Sequence, residues 1–121
     1  MKSPLKKVAA IHDLSGYGKA SLTVVIPILS AMGIQVCPLV TAVLSSHTQF
    51  PGFYFLDLTD HLQAMINHWK ELNLKFDSIY SGFLGSPRQV EIVRDFIKEF
   101  KIEGQEVMID PVMGDNGVLY D

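Results

Sequence analysis

The sequence has 121 residues, 48% of them apolar, and a formal net charge of −3. This length and composition suit a single domain with its own hydrophobic core. Acidic and basic residues are interspersed without a basic stripe, which argues against a nucleic-acid partner. The one cysteine, Cys37, cannot form an internal disulfide, and this favours a reducing location such as the cytoplasm.

Membrane association is not expected from the apolar segments. The run behind the basic N-terminus, Val8 to Ile11, is too short for a signal peptide. The longest apolar stretch, Val24 to Leu29, contains Pro27 and is far shorter than a membrane span. We therefore expect a soluble intracellular protein.

The first predicted elements are a strand and a helix. Lys7 to His12 is a short apolar run, typical of a central strand that is buried on both faces. Ala20 to Met32 is small or apolar nearly all round and is followed by Gly33, which predicts a buried helix with a glycine at its end. Pro27 lacks an N–H group and is expected to kink this helix.

A second strand region and a long loop come next. Gln35 to Leu39 and Thr41 to Leu44 predict two strands, or one strand broken at Pro38. Ser45 to Leu56 is polar and aromatic and predicts a long loop. Long loops in compact domains often cover binding sites, so the part from Phe50 to Leu56 is either a lid or a static loop.

Two amphipathic helices are predicted in the second half of the chain. Thr59 to Leu72 shows the helical spacing of apolar residues, with Thr59 or Asp60 as the expected N-cap. Ser86 and Pro87 match an N-cap and a first-turn proline, so another helix is expected to begin there. The apolar positions of the two helices are Leu62, Met65, Ile66, Trp69 and Leu72, then Val90, Val93, Phe96, Ile97 and Phe100.

The remaining predicted strands complete an alternating pattern. Phe76 to Ser81 and Glu106 to Asp110 predict two strands, and the tail from Val112 onward is loop-like. Strands that alternate with helices of about a dozen residues indicate βαβ units. The expected fold is α/β, with a mostly parallel sheet between helices on both faces, a three-layer α/β/α arrangement.

Four polar or glycine-rich segments follow the predicted strands. Because ligands of parallel sheets bind at the carboxyl ends of the strands, we expect these segments to converge on one rim. They are Asp13 to Lys19, Ser45 to Gln49, Ser81 to Gly85 and Asp110 to Asp115.

Each of these segments allows more than one interpretation. SGYGKAS departs from the Walker A pattern, because no serine or threonine directly follows its lysine. Its interpretations, in falling order of preference, are a turn that covers a substrate, a structural turn and a nucleotide-binding loop. Asp13 either binds a substrate or caps that turn. Ser45 to Gln49 suits a small polar ligand or a solvated loop. The carboxylates of Asp110 and Asp115 suit Mg2+ or a turn.

Four motifs in the sequence point to a known family. IHDLSGYGKASL, TAVLSSHTQF, YSGFLGS and IDPVMGDNG occur in this order and span nearly the whole chain. Together they resemble the pyridoxal and pyridoxamine kinases of the ribokinase-like superfamily. The resemblance implies phosphoryl transfer from ATP, with Mg2+, to the 5′-hydroxymethyl oxygen of pyridoxal, pyridoxine or pyridoxamine in vitamin B6 salvage. It also implies a homodimer.

The resemblance implies roles for individual residues. The substrate-binding positions are Asp13, Thr41, His47, Thr48, Gln49 and Phe83. The nucleotide-binding positions are Asp110, Asp115 and Tyr120, and Asp110 and Asp115 are also the implied metal ligands. Phe83 stands where the family often has a tyrosine, so ring stacking is kept and a hydroxyl is lost.

One departure from the family pattern concerns the catalytic base. In the family this base is an aspartate in a GTGD-like motif, and no such motif occurs in residues 1–121. The resemblance therefore implies that the base lies beyond Asp121 and that no residue of this chain is the catalytic base. Residues 1–121 are expected to be the N-terminal portion of one kinase domain, truncated before the base and exposing an edge strand. If the protein ends at Asp121, the alternative is a non-catalytic module that binds a B6 vitamer.

A second departure is Asp13. Many pyridoxal kinases carry serine at this position, whereas hydroxymethylpyrimidine kinases of thiamin synthesis tend to carry aspartate. The other alternative is therefore such a pyrimidine kinase.

Overall fold

The computed structural model describes residues 6–18, 20–82, 84 and 86–109, and the backbone of residues 114–115 and 118–119. Its strands are β1 (Lys7–Ser15), β2 (Gln35–Leu44), β3 (Phe55–Asp57), β4 (Ser78–Ser81), β5 (Glu106–Ile109), β6 (Gly114–Asp115) and β7 (Val118–Leu119). Its helices are α1 (Leu22–Ala31), α2 (Thr59–Glu71) and α3 (Pro87–Glu99).

The main sheet has five strands in the order β3-β2-β1-β4-β5. β1 pairs in parallel with β2 and β4, and β4 pairs in parallel with β5. Within this sheet only β3 is antiparallel, where it pairs with the end of β2. The predicted α/β fold with a mostly parallel sheet is therefore confirmed. β6 and β7 form a separate antiparallel pair, in the tail for which the sequence predicts a loop.

The helices cover both faces of the sheet. Ala9 and Ile11 of β1 share one buried cluster with residues of α2 and α3. Because side chains alternate along a strand, the neighbouring Val8 and Ala10 face the opposite side, and both are buried. α1 packs against β1 and β2 there. The result is the expected three-layer arrangement.

The core lies between the sheet and the pair α2 and α3. Its residues are Ala9, Ile11, Leu39, Leu62, Ile66, Phe76, Ile79, Val93, Phe96 and Phe100. The rings of Phe96 and Phe100 stack with their centroids 4.5 Å apart, and Trp69 lies 5.4 Å from Phe76. Burying a side chain of this size stabilises the fold by about 1.5 to 3 kcal/mol. Cys37 packs against this cluster, and desolvation raises the pKa of its thiol, which suits a packing role.

The end of α1 follows the sequence prediction. Gly33 has φ +79°, and its N–H donates to the carbonyl of Ser30 at 3.0 Å. The N–H of Ile34 donates to the carbonyl of Leu29 at 3.0 Å. This pair of bonds is a Schellman motif, in which glycine takes the left-handed position without steric cost. Pro27 lies inside the helix as predicted, but the prediction of a buried helix is wrong, because among the described residues of α1 only Leu22 is buried and Ile28 is exposed.

Of the two alternatives for β2, the structure forms one strand that continues through Pro38. Pro38 is paired with Ala10 of β1. β3 reaches only the last residues of β2, from Ala42 to Leu44, so Pro38 has a strand on one side alone. A residue without an N–H group is tolerated in such an edge position.

The two helix starts differ in how well the sequence predicts them. Ser86 caps α3, because its hydroxyl accepts a hydrogen bond from the N–H of Gln89 at 3.2 Å, and Pro87 is the first helical residue. For α2 the prediction of Thr59 or Asp60 as N-cap is wrong, since the cap position is Leu58. Asp57 instead accepts the N–H of Thr59 at 2.9 Å. The carboxylate that accepts a hydrogen bond at the start of α2 therefore belongs to the preceding strand, β3.

Two strand predictions need correction. The loop predicted for Ser45 to Leu56 ends early, because β3 begins at Phe55. All three β3 residues are exposed, so no buried alternation marks the strand in the sequence. The strand predicted from Phe76 begins at Ser78, as β4. β5 is described from Glu106 to Ile109, and Asp110, the last residue predicted for this strand, lies outside the described residues. Every β5 residue is exposed, as expected for an edge strand.

Candidate functional site

A cavity of about 770 Å3 opens at the carboxyl ends of β1, β2 and β4. The start of α3 and the end of β3 close its sides. Its polar lining residues are His12, Asp13, Ser15, Ser21, Thr41, His47, Thr48, Asp57, Thr59, Tyr80, Ser86 and Gln89. Its apolar lining residues are Ala20, Val24, Val25, Ala42, Leu44 and Phe55, with Gly82 beside them. A cavity of this size with convergent polar groups is typical of a small-molecule site.

A bulge in the sheet shapes the wall of the cavity. His12 pairs with Val40, but two positions further on Leu14 pairs with Val43. Two residues of β2, Thr41 and Ala42, therefore lie opposite one residue of β1, Asp13. Bulges bend a strand and change the direction of its side chains, and they are common beside functional sites. Asp13 and Thr41 both line the cavity as a result.

The Asp13 carboxylate is held by a serine from the following turn. The hydroxyl of Ser21 donates to Asp13 Oδ1 at 2.7 Å, and Ser21 forms an isolated antiparallel bridge with Leu14. The backbone of Ser21 has φ 49° and ψ −120°, a conformation that residues with a Cβ rarely adopt. Strain of this kind is usually stored at functional sites.

A chain of hydrogen bonds runs along the opposite wall. Thr59 donates its hydroxyl to Asp57 Oδ1 at 2.5 Å and accepts a bond from Gln89 Nε2 at 2.9 Å. Gln89 Nε2 also donates to the carbonyl of Thr41 at 3.3 Å. The same carbonyl accepts a hydrogen bond from the N–H of Leu58. The chain thus ties β3, α2 and α3 to the bulge of β2. The bonds from Thr59, together with the charge of Arg88, hold the pKa of the Asp57 carboxyl below its ordinary value.

His12 forms the floor of the cavity together with Tyr80. Their rings meet edge to face with centroids 4.7 Å apart. His12 is buried in the sheet, and its imidazole lies directly over Gly82. A Cβ at position 82 would collide with that ring, so this position requires glycine. The segment after β4 can therefore pass close to the histidine.

The turns after β1 and β2 are joined through their backbones. The N–H of Gly16 donates to the carbonyl of Leu44 at 2.8 Å, and the N–H of His47 donates to the carbonyl of Tyr17 at 2.8 Å. Two of the predicted rim segments are thereby fixed beside each other. His47 Nδ1 accepts the N–H of Gln49 at 3.1 Å, which folds the loop back on itself.

Four of the residues predicted to bind substrate line this cavity: Asp13, Thr41, His47 and Thr48. Gln49 is exposed and is not among the lining residues. The convergence of the first two rim segments at the strand ends agrees with the prediction.

The remaining predicted site positions fall where the structure gives no side chains. Phe83, Asp110 and Tyr120 lie outside the described residues, and only the backbone of Asp115 is described, in β6. Asp121, beyond which the catalytic base is expected, also lies outside the described residues. The location of the base therefore stays a prediction from the family resemblance.

Sequence reasoning missed several lining residues, among them His12, Asp57 and Gln89. It placed Val90 on the buried face of α3, but Val90 is 47% exposed and Gln89 is 5% exposed. Gln89 has the same helical phase as Val93, Phe96 and Phe100, which are buried. A polar residue in phase with an apolar stripe was the signal that could have found it.

Among the residues that the structure describes, no three His, Cys, Asp or Glu side chains come together as metal ligands do. No helix in the described part of the chain is both long enough and apolar enough to cross a membrane.

Comparison with known sequences gives one consistent group of relatives. No protein-family model matches the chain. Pyridoxal kinase PdxY of Burkholderia orbicola is 28% identical over 119 residues, which cover 93% of this chain and 41% of that protein. Pyridoxal kinase PdxY of Proteus mirabilis is 30% identical over 89 residues, covering 69% of this chain and 31% of the relative.

Similar solved structures include a phosphomethylpyrimidine kinase and pyridoxal kinases. One structure, from Bacteroides thetaiotaomicron, is described as a phosphomethylpyrimidine kinase and is 62% identical to this chain. The aligned region covers 99% of this chain and 42% of the kinase chain, and the TM-score is 0.94. A second structure with the same description, from crystals with pyridoxal, is 64% identical to this chain. The aligned region covers 97% of this chain and 41% of the kinase chain, and the TM-score is 0.92. The pyridoxal kinase of Lactobacillus plantarum is 32% identical over 97% of this chain and 42% of its own, with a TM-score of 0.86.

These findings define the class of protein. The fold is the ribokinase-like fold of these solved structures. Within that class the chain is similar to the pyridoxal kinases over nearly its whole length, so the resemblance predicted from the four motifs is confirmed. The chain spans about two fifths of the length of these relatives, at 41% and 42%.

Proposed function

We propose that this chain forms the vitamin-binding part of a kinase that transfers a phosphoryl group from ATP to the 5′-hydroxymethyl oxygen of pyridoxal, pyridoxine or pyridoxamine. The observation that carries the proposal is the cavity at the carboxyl ends of the strands, with Asp13, Thr41 and Thr48 in its lining. Ligands of open α/β sheets bind at that edge. The ligand class is supported by the 64% identical structure, whose crystals contain pyridoxal, and by the similarity to pyridoxal kinases.

The cavity suits a small aromatic ring with polar substituents. Val24, Val25 and Leu44 supply apolar contacts for the ring. The carboxylate of Asp13 and the hydroxyl of Thr48 supply hydrogen-bonding groups for its substituents. Phosphoryl transfer depends mainly on positioning the two reactants. The proposed contribution of this chain to catalysis is therefore to hold the vitamer ring in one orientation.

The proposed contacts to ATP and Mg2+ are inferred from the sequence motifs. We propose that Asp110, Asp115 and Tyr120 contact ATP, and that Asp110 and Asp115 hold Mg2+, which when bound neutralises charge on the phosphates. Phe83 would stack on the vitamer ring. The side chains of these residues lie outside the described part of the structure. The remaining predicted substrate contact, Gln49, would have to turn inward from its exposed position.

The proton acceptor for the vitamer hydroxyl is proposed to lie outside this chain. Its proposed position is a GTGD-like motif after Asp121, as the family resemblance implies. This proposal is supported by the 41% share of the pyridoxal kinase relative that this chain covers, which leaves room for such a motif in a longer polypeptide. The intact mass of the natural protein tests this. A mass well above 13.5 kDa is expected, and a mass of 13.5 kDa would favour the binding module.

We further propose that the protein is a cytoplasmic homodimer. The single cysteine supports a reducing compartment, and the resemblance to the pyridoxal kinases supports the dimer. Light scattering on the purified natural protein should give twice the mass of one polypeptide. A single-polypeptide mass would contradict the dimer.

Release of ADP by the natural protein that contains this chain tests the activity. With MgATP, we expect ADP release that depends on added pyridoxal, pyridoxine or pyridoxamine. Thr48→Val removes a cavity hydroxyl at nearly constant volume and should raise KM, whereas Thr48→Ser should retain most of the activity. Vitamer binding without ADP release would indicate the binding module instead.

A second candidate is phosphorylation of hydroxymethylpyrimidine. It is favoured by Asp13, a carboxylate that can accept hydrogen bonds from a ring amino group, and by the description of the 62% identical structure as a phosphomethylpyrimidine kinase. The same ADP assay with hydroxymethylpyrimidine separates the two candidates. Turnover of the pyrimidine alone would replace the B6 proposal.

A further inference from the structure

The cavity wall contains a carboxylate in a fixed orientation. Asp13 is partly buried at the end of β1, and Ser21 Oγ donates to its Oδ1 at 2.7 Å. The bridge between Ser21 and Leu14 holds the donor in place. A carboxylate positioned in this way needs little reorganisation when a ligand arrives.

The basic residues of the described lining are His12 and His47, and no permanently charged cation among the lining residues faces this carboxylate. The cavity-lining residues that the structure describes include no lysine or arginine. The only other carboxylate among them, Asp57, already accepts both the N–H and the hydroxyl of Thr59. The two ion pairs formed by the described residues, Lys70 with Glu99 and Arg88 with Asp60, do not include Asp13. A partly buried carboxylate is costly where no cation pairs with it, and a cationic ligand group would offset part of that cost.

We propose that Asp13 makes the cavity selective for ligands with a cationic substituent. The inference rests on the proposed function. It identifies pyridoxamine, the B6 vitamer that carries an ammonium group, as the preferred ligand. Pyridoxamine and pyridoxine differ only in having an aminomethyl or a hydroxymethyl group on the same ring carbon. An ammonium forms a charge-assisted hydrogen bond with a carboxylate, which is stronger than the bond from a neutral hydroxyl. Apolar neighbours such as Val24 and Val25 lower the local dielectric constant and strengthen the attraction.

Equilibrium binding of this ligand pair tests the selectivity without ATP. On the natural protein that contains this chain, titration calorimetry should give a Kd for pyridoxamine about tenfold lower than that for pyridoxine. Asp13→Asn keeps the oxygen that accepts from Ser21 but removes the charge, so the two Kd values should come within about threefold of each other. Ser21→Ala keeps the charge but removes the hydrogen bond that orients the carboxylate, so the preference for pyridoxamine should remain and be smaller than in the wild type.

Asp95→Asn is the matched control, because it removes one negative charge from an exposed position on α3 outside the cavity. Its ligand preference should equal that of the wild type. Equal binding of both vitamers to the wild type, or a preference that survives in Asp13→Asn, would overturn the inference and leave the proposed function standing. If neither vitamer binds the wild type, the proposed function falls and the inference falls with it. Circular dichroism spectra of each variant establish that the fold is retained.

Discussion

Gln89 of α3 donates a hydrogen bond from Nε2 to the hydroxyl of Thr59 in α2 at 2.9 Å. The same nitrogen donates to the carbonyl of Thr41, at the bulge of β2. One buried amide group therefore joins the starts of two helices to the strand that presents Thr41 to the cavity. The shape of the cavity therefore depends on a buried polar contact between the two helices.

Replacing Gln89 with leucine should therefore destabilise the protein. Gln89→Leu removes both bonds, while the Thr41 carbonyl keeps the N–H of Leu58. We expect the free energy of unfolding to fall by about 1 to 2 kcal/mol, measured by urea denaturation. Gln63→Leu removes an exposed amide on α2 and should change it by less than about 0.5 kcal/mol. Equal effects of the two substitutions would contradict the role of Gln89.

Asp57 should make the stability depend on pH in the acid range. Its folded-state pKa is lowered, first by the hydroxyl of Thr59, then by the N–H of Thr59 and by Arg88. A carboxyl with a lowered folded pKa stabilises the fold above its unfolded pKa, which is about 4, and this stabilisation is lost as the pH falls through the folded value. The difference in unfolding free energy between wild type and Asp57→Asn should therefore be largest near neutral pH and shrink in acid.

Thr59→Val gives an independent measure of the same interaction. The variant keeps the backbone N–H that Asp57 accepts and removes the hydroxyl, so the Asp57 carboxyl should titrate at a higher pH than in the wild type. Carboxyl-carbon NMR of the two proteins measures this directly. An unchanged titration would show that the hydroxyl does not stabilise the carboxylate.

Gly82→Ala should be strongly destabilising, since the new methyl group would collide with the imidazole of His12. The physical cause can be isolated with a double-mutant cycle. In a His12→Ala background the collision is absent, so Gly82→Ala should cost at least about 1 kcal/mol less there than in the wild type. Thermal unfolding of the four proteins gives the coupling. Additive effects would mean that the glycine is required for another reason.

The helices were predictable because their signals are local. Ser86 with Pro87, and Gly33 after α1, are short-range capping patterns that hold in the structure. β3 carries no such signal, because it is formed by antiparallel pairing with β2 and all its residues are exposed. The capping of α2 by Asp57 escaped prediction for a related reason, since that carboxylate belongs to β3.

The site was predictable to the extent that topology dictates it. Asp13 and Thr48 follow from the rule that ligands bind at the carboxyl ends of parallel strands, whereas Thr41 was named only through the family resemblance. Gln89 reaches the cavity from a helix, and Asp57 reaches it from the antiparallel strand. Neither position follows from strand order in a parallel sheet, so only the packed structure brings them to the site.

The unusual backbone of Ser21 makes a last prediction possible. Its φ of 49° and ψ of −120° cost free energy for any residue with a Cβ and little for glycine. Ser21→Ala and Ser21→Gly both lose the hydrogen bond to Asp13, but only the glycine variant also loses the strain. Ser21→Gly should therefore be more stable than Ser21→Ala by about 1 kcal/mol or more in chemical denaturation. If the alanine variant were the more stable of the two, the strain at this position would be absent, and the Asp13 carboxylate would be held by the hydroxyl alone.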